Sequence, residues 1–94
     1  MIRTVADRET EKVYDGEFSR RLPPEIQDRA RKLLRTLNRS KSLGDLRAVP
    51  GNRLEKLRGD RAEQHSVRIN ERWRICFTWR NGDAYDVEIS DHYD

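Results

Sequence analysis

The sequence predicts one α+β domain in which helices come first and an antiparallel sheet follows. Two observations support this fold class. Apolar residues recur with a helical period in the first half of the chain and alternate with polar residues in the second half. Ninety-four residues suit a single domain, and helices followed by consecutive strands are typical of α+β proteins. We therefore expect residues 1–94 to form one compact unit, with helices packed against a curved sheet.

The first half of the chain predicts a short edge strand and three helical segments. Residues 2–5 are partly β-branched and suit a strand at the edge of a sheet, and residues 8–14 suit a short helix. A longer helix opens at Pro24, because proline is favoured in the first turn, and runs to about Asn38. Residues 42–46 add one more turn. The long helix places its apolar residues on a single stripe: Ile26, Ala30, Leu33, Leu34 and Leu37.

The second half predicts four strands joined by tight turns. They cover about residues 53–58, 64–70, 72–79 and 84–91, and the Asn81-Gly82 pair is typical of a hairpin turn. Alternation assigns these residues to the core face: His65, Val67, Ile69, Trp73, Ile75, Phe77, Trp79, Tyr85, Val87 and Ile89. It assigns these to a polar face: Ser66, Arg68, Arg72, Arg74, Cys76, Thr78, Asp86, Glu88 and Ser90. The expected sheet is an antiparallel meander with one buried and one polar face.

Positive charge is concentrated in the middle third of the chain. Residues 29–58 hold ten basic and two acidic side chains, although the net charge of the whole chain is only +3. Sixteen of the 20 basic residues are arginine, whose planar guanidinium suits phosphate oxygens, although a GC-rich genome would give the same bias. The clustering favours a polyanionic partner over a merely solvated surface.

Other classes of protein are excluded by what the sequence lacks. No apolar stretch approaches the ~18 residues that cross a bilayer, and no signal-peptide core follows the N-terminus. The single cysteine, Cys76, has no partner for an internal disulfide, which indicates a reducing compartment such as the cytoplasm. There is no glycine-rich phosphate loop and no cluster with metal-ligand spacing, so we expect neither a metal nor a cofactor.

Polar residues near the C-terminus are candidates for acid–base chemistry. On antiparallel strands Arg68 and Arg74 share the polar face, and a register with Arg58 beside them would form a cationic platform. Cleavage of RNA requires a base, an acid and fixed cations, and Asp91-His92-Tyr93 offers groups that transfer or orient protons. A histidine near a terminus is also commonly a solvated surface residue, and both interpretations stay open. His65 is expected to be structural, because it shares the core face.

Four segments carry a resemblance to a known family: Arg53–Arg61 (RLEKLRGDR), Trp73–Phe77 (WRICF), Asn81–Val87 (NGDAYDV) and the closing Asp91-His92-Tyr93. Together they resemble the HigB-type toxins of bacterial toxin–antitoxin modules, within the RelE/ParE superfamily. The resemblance implies a compact RelE-like fold and a metal-independent endoribonuclease that cuts mRNA in the ribosomal A site. It also implies a HigA-like helix-turn-helix antitoxin and contact with operator DNA through the antitoxin complex.

The resemblance assigns roles to individual residues. Arg58 and Arg74 would hold the scissile phosphate, Glu55 matches a position where relatives carry histidine or glutamate, and Asp91 matches the family aspartate. The usual ending Asp-Tyr-His reads Asp91-His92-Tyr93 here, so the acid and the base among these residues stay unassigned. The other cations expected to contact RNA are Arg53, Lys56 and Arg61, together with Arg68, whose assignment rests on strand geometry alone. Two alternatives remain, namely a ParE-like toxin that inhibits DNA gyrase and a degenerate toxin that only represses its operon together with the antitoxin.

Overall fold

Three helices form most of the first half of the molecule. The computed structural model describes residues 1–61 and 63–91. Helix α1 spans Arg8–Tyr14, α2 spans Pro24–Arg39 and α3 spans Leu43–Arg47. The predicted helices are confirmed to within one residue at each end. None of the helices in the described part of the chain combines the length and apolarity needed to cross a membrane.

The helices begin where the sequence offers start signals. Asp7 Oδ1 accepts the N–H of Thr10 at 2.7 Å ahead of α1. Ser42 and Asp45 form a capping box at α3, in which the side chain of each residue accepts the backbone N–H of the other. Pro24 occupies the first position of α2. These residues satisfy or remove N–H groups that a helix start leaves unpaired, so each helix begins at a fixed point.

Four antiparallel strands follow in the order β1-β2-β3-β4. Strand β1 is Glu55–Lys56, β2 is Gln64–Arg68, β3 is Arg74–Arg80 and β4 is Asp83–Ser90, with a short 3-10 turn at Gly59–Arg61 between β1 and β2. The predicted α+β class and antiparallel meander are confirmed. Strand β1 is much shorter than the strand predicted over residues 53–58.

The N-terminal segment lies along the outer edge of β4. Ile2 pairs with Ala84 and Val5 pairs with Val87, both in parallel orientation. The Arg3 N–H also donates to the Ala84 carbonyl at 2.8 Å. The predicted edge strand is therefore reduced to two isolated bridges, although its position at an edge of the sheet is as expected.

The core lies between α2 and one face of the sheet. The predicted apolar stripe of α2 is buried in full, and Gln27 is buried beside it. Gln27 Oε1 accepts the N–H of Ser19, and its Nε2 donates to the Ser19 and Leu22 carbonyls, so this buried amide is satisfied. The sheet contributes these residues to the same core: Val67, Ile69, Ile75, Phe77, Ala84, Val87 and Ile89.

Residues 8–20 are anchored more firmly than their composition suggests. The sequence predicts that this segment is mobile, because it is charged and has few apolar anchors. In the structure Thr10, Val13 and Ser19 are fully buried, and Thr10 Oγ1 accepts the N–H of Ile89 at 2.9 Å. The expected sparse anchoring is therefore wrong, while the mobility itself stays a prediction for amide exchange to test.

The turn between β2 and β3 is longer than predicted and shortens both strands. The N–H groups of Ile69 and Asn70 donate to the Trp73 carbonyl. Asn70 Oδ1 in turn accepts the N–H groups of Arg72 and Trp73. Because these bonds close the turn before β3 begins at Arg74, Arg72 lies outside the strand.

A bulge in β4 moves Tyr85 off the core face. Asp86 has a positive φ of 53° at the point where the register of β3 and β4 shifts. Ala84 and Val87 are both buried, three positions apart, whereas Tyr85 is half-buried with the Arg80 guanidinium 4.5 Å from its ring centroid. The prediction that Tyr85 belongs to the core is wrong, because the extra residue changes the alternation.

Candidate functional site

Two arginines lie side by side where the chain leaves β4. Arg68 of β2 is the cross-strand partner of Arg74 of β3, and Arg74 is also the partner of Ser90, the last residue of β4. Residues opposite each other on antiparallel strands share a face, so all three lie on the face of the sheet away from the core. We call Arg68 and Arg74 the cationic row. The shared face is as the alternation predicts.

The Arg74 side chain is buried and held from three directions. Only 4% of the residue is exposed. Its Nε donates to Ser66 Oγ at 2.7 Å, and a terminal nitrogen donates to the Arg53 carbonyl at 2.8 Å and lies 3.6 Å from Glu55 Oε1. The face is polar, as predicted, but it is covered here, because Ser66 and Cys76 are fully buried as well. The guanidinium is therefore fixed in place by charge-assisted contacts.

The loop before β1 supplies backbone carbonyl acceptors for the two arginines of the cationic row. Arg53, whose carbonyl binds Arg74, has a positive φ of 45°, which residues other than glycine adopt rarely. The neighbouring Asn52 carbonyl accepts the backbone N–H of Arg68 at 2.6 Å. Asn52 is itself buried, and its Nδ2 donates to the Leu46 carbonyl of α3 at 3.3 Å. Sequence analysis gave Asn52 no role, since only its place in a Pro-Gly-Asn turn was visible.

Arg68 is more accessible than Arg74. Its side chain is 26% exposed, and its Nε donates to the Asn70 carbonyl at 3.1 Å. A terminal nitrogen lies 3.9 Å from Glu71 Oε1, but the Glu71 side chain is 95% exposed, so this pair is well solvated and weak. The cationic row therefore combines one fixed guanidinium with one that faces solvent.

A separate ion pair ties the turn before β3 to the residue after β4. Arg72 Nε and a terminal nitrogen of Arg72 donate to the same oxygen, Asp91 Oδ2, at 3.1 and 2.9 Å. The Asp91 side chain is 14% exposed, whereas that of Arg72 is 75% exposed. The pair fixes Asp91 next to Ser90 at the edge of the cationic row. Sequence analysis identified Asp91 but missed Arg72, although antiparallel pairing brings the start of β3 to the end of β4.

Two of the other predicted site residues, Lys56 and Arg58, are exposed to solvent. Lys56 pairs with His65, so it points to the opposite face of the sheet from its neighbour Glu55. Arg58 is exposed beyond the end of β1, and within the described part of the chain it forms no hydrogen bond or ion pair. The carboxylate of Glu55, in the same segment, lies 3.6 Å from the Arg74 guanidinium.

The remaining predicted residues are described only in part. The Arg53 side chain is exposed, and the backbone of Arg61 ends the 3-10 turn. His92 and Tyr93 lie outside the described residues. The roles predicted for them stay predictions.

His65 lies on the core face, as predicted. Its ring stacks on Phe77 with ring centroids 6.1 Å apart, and its Nδ1 is buried with no hydrogen-bond partner among the described residues. Burial lowers the pKa of His65 below its usual 6.5, and the positive charges of Lys56 and Arg47 lower it further. A neutral, stacked imidazole is consistent with a structural role.

This arrangement can bind a phosphodiester and stabilise negative charge on it. A buried guanidinium acts more strongly on a nearby charge than one in water, and it needs no reorganisation when that charge develops. Arg68 adds a second cation, and Glu55 adds a carboxylate that can accept a proton beside Arg74. Across residues 1–61 and 63–91, no three His, Cys, Asp or Glu side chains lie close enough together to hold a metal ion.

Similarity to known proteins covers nearly the whole chain. The family described as RelE-like toxin of type II toxin–antitoxin system HigB matches residues 3–92. Toxin HigB-1 of Vibrio cholerae serotype O1 is 32% identical over 87 residues, which cover 92% of each chain. Endoribonuclease HigB of Proteus vulgaris is 26% identical over 93 residues, which cover 99% of this chain and 100% of that protein. The chain therefore belongs to the HigB-like family of RelE-like toxins of type II toxin–antitoxin systems.

Proposed function

We propose that this toxin is an endoribonuclease that cleaves mRNA in the A site of the translating ribosome. One observation carries the proposal: the Arg74 guanidinium is buried and held in place beside the end of β4, and RNA cleavage needs a fixed cation at the reacting phosphate. Family membership and the name of the Proteus vulgaris relative, Endoribonuclease HigB, support RNA cleavage. The excess of basic residues in 29–58 supports a nucleic-acid partner.

In the proposed reaction the 2′-hydroxyl of one nucleotide attacks the adjacent phosphorus, and the 5′-oxygen of the next nucleotide departs. A base removes the 2′-hydroxyl proton and an acid protonates the departing oxygen, which leaves a cyclic phosphate on the first fragment. Arg74 and Arg68 stabilise the negative charge that develops on the phosphate oxygens. The exposed Arg58 adds a further phosphate contact.

Asp91, His92 and Tyr93 supply the proton-transfer groups in this proposal. Arg72 fixes Asp91 beside the cationic row, and the chain continues from there to the other two residues. A histidine titrates near neutral pH, and a tyrosine can donate a proton or stack on a base. Glu55 is the alternative proton acceptor, because its carboxylate lies 3.6 Å from Arg74.

As a toxin of a type II module, the protein has an antitoxin as partner. We infer that this antitoxin is a HigA-like helix-turn-helix protein, that the complex binds operator DNA, and that the toxin acts in the cytoplasm on the 70S ribosome. A short reading frame for a helix-turn-helix protein next to the toxin gene would support the inference. Co-expression of the two proteins should then relieve growth arrest.

Substitution of Arg74 tests the proposed activity. Arg74→Ala removes the fixed guanidinium, so cleavage of mRNA on translating ribosomes should fall by about 10²–10³-fold and growth arrest should be lost. Arg74→Lys keeps the charge but not the planar fork that binds Ser66 and Arg53, so it should recover only part of the activity. Arg20→Ala, at an exposed position, is the matched control and should retain full cleavage.

Thermal unfolding of the variants separates loss of chemistry from loss of folding. Cleavage is compared at a temperature at which all of them are folded. Undiminished growth arrest and mRNA cleavage by Arg74→Ala would defeat the proposal. If the purified wild type inhibits DNA gyrase and does not cleave mRNA, the ParE-like activity is the correct assignment instead.

A further inference from the structure

A pocket of about 410 Å³ lies at the hairpin end of the sheet, away from the cationic row. Its walls come from the N-terminal segment, the end of α2 and the turn between β3 and β4. Strand β3 runs seven residues from Arg74 to Arg80, so the turn that follows lies about 20 Å from the cationic row. The pocket is therefore separate from the site proposed for cleavage.

The charge that lines this pocket is positive. Arg3, Arg39 and Lys41 all contribute to its walls, and the acid among them is Asp83. Asp83 is already neutralised, because Arg3 Nε donates to its Oδ2 at 3.1 Å and the Met1 amino group lies 3.2 Å from its Oδ1. Hydrogen bonds from those two groups hold the pKa of Asp83 below its usual range.

Arg39 and Lys41 are left as the cations available to a ligand. Both are exposed, and in the described ranges neither side chain forms an ion pair or hydrogen bond. The nearest acid in sequence, Asp45, accepts the backbone N–H groups of Lys41 and Ser42 at 2.9 and 3.2 Å, and the Lys41 charge makes a smaller contribution to lowering the Asp45 pKa. An anion is therefore the complementary ligand for this pocket.

Hydrogen bonds and close packing fix the walls of the pocket relative to one another. Asn38 Oδ1 accepts the N–H of Ile2 at 2.9 Å, which joins α2 to the N-terminal segment and leaves the Asn38 amide donors for a ligand. The N–H of Ala84 donates to the Met1 carbonyl at 2.9 Å. A Cβ on Gly82, whose φ is +82°, would lie 3.3 Å from the Lys41 carbonyl, so the hairpin turn packs closely on the segment that follows α2. The backbone that carries the two exposed cations, Arg39 and Lys41, is therefore held in a fixed position.

We propose that this pocket binds a backbone phosphate of RNA outside the stretch that the cationic row cleaves. The inference rests on the proposed function, since it takes RNA as the polyanion that the toxin meets. Arg39 and Lys41 supply the charge, and the Asn38 amide supplies directed hydrogen bonds. Binding at this second site would hold the toxin on its target and leave the cleavage step at Arg74 unchanged.

The double variant Arg39→Gln with Lys41→Gln tests the pocket. Its matched control is Arg8→Gln with Arg20→Gln, which removes the same charge at exposed positions of the α1 region. Both pairs are built on Arg74→Ala, the variant expected to lose cleavage, so that cleavage does not consume the probe. The probes are 70S ribosomes programmed with mRNA and a free single-stranded RNA of about 20 nucleotides.

We expect the pocket variant to bind at least about fivefold more weakly than the control at near-physiological salt of about 0.15 M. Loss of this one phosphate contact should also make the plot of log affinity against log salt less steep by about 0.7 on single-stranded RNA. Weaker binding to ribosomes alone assigns the phosphate to ribosomal RNA, and weaker binding to both probes assigns it to the message. Equal affinities and slopes for the pocket variant and the control overturn the inference.

The result is independent of whether the toxin cleaves RNA. Affinity is measured directly, so a wild type without nuclease activity would refute the proposed function and still report on the pocket. Matching thermal unfolding curves for the two double variants would exclude misfolding as the cause of weaker binding. In the wild-type background, the pocket pair should raise the RNA concentration needed for half-maximal cleavage and leave the rate at saturation unchanged.

Discussion

The two faces of the sheet are equally well buried at their centre, but by different means. On the face toward α2, Val67, Ile75 and Phe77 are fully buried in an apolar cluster. On the opposite face, Ser66 and Arg74 are buried to a similar degree around hydrogen bonds. Apolar contact is nondirectional, whereas a guanidinium with fixed acceptors has one orientation. The comparison indicates that the first face supplies stability and the second supplies geometry for chemistry.

The largest effect should come from the core face. Phe77 is fully buried, stacks on His65 and meets Trp79 edge to face. Phe77→Ala should therefore destabilise the fold by about 3–5 kcal/mol through lost burial and a cavity. Because one kcal/mol corresponds to about 4–8 °C in a domain of this size, thermal unfolding should shift down by roughly 12 °C or more.

The adjacent residue on the other face is the control for that prediction. Cys76 is also fully buried, but it loses only one sulfur on substitution, so Cys76→Ala should cost about 1 kcal/mol. An equal loss of stability from the two variants would contradict the view that apolar burial on the helix side holds the fold together.

A smaller and different effect is expected from Ser66→Ala. Ser66 Oγ accepts the Nε–H of Arg74 at 2.7 Å, and both residues are buried. Its removal leaves a buried donor without that acceptor, which should cost about 1–3 kcal/mol of stability. It also frees the guanidinium to shift, so mRNA cleavage should fall by about tenfold to a hundredfold at a temperature at which the variant is folded.

Ser19→Ala is the matched control for this substitution. Ser19 is fully buried and its Oγ donates to Glu9 Oε1 at 2.6 Å, but it lies in the connection between α1 and α2. The Ser19→Ala variant should therefore be less stable than the wild type but should cleave mRNA at the wild-type rate. Parallel loss of cleavage in both variants would mean that folding, and not the orientation of Arg74, limits activity.

The features that the sequence predicts well are those set by neighbouring residues. The bounds of α1 and α3 were predicted to within one residue, and the capping residues Asp7 and Ser42 lie directly before these helices; the stripe of α2 follows from a period that is visible within the helix. Alternation likewise placed Arg68 and Arg74 on one face. Each of these signals lies within a few residues of the structure that it specifies, so no tertiary information is needed.

The features that were missed depend on distant segments. The burial of Arg74 requires the Arg53 carbonyl from the loop before β1, and alternation indicates a face without indicating what covers it. Tyr85 left the core because one extra residue at Asp86 shifts the register, and a bulge leaves no clear mark in the sequence. Lys56 was assigned to the site by motif alone, although it adjoins Glu55 in a strand and must point the other way.

The smallest predicted effect is a pH dependence on the core face. Burial, Lys56 and Arg47 lower the pKa of His65 below 6.5, so the folded state binds a proton less readily than the unfolded state. The stability from neutral His65 is therefore fully present above pH 6.5 and is lost as the pH falls through the lower, folded-state pKa. Thermal unfolding between about pH 7.5 and 5.5 should show the decline in wild type and in His92→Gln, and a flatter profile in His65→Gln. If the profile flattens only in His92→Gln, the group responsible for the pH dependence lies among the C-terminal residues and not on the core face.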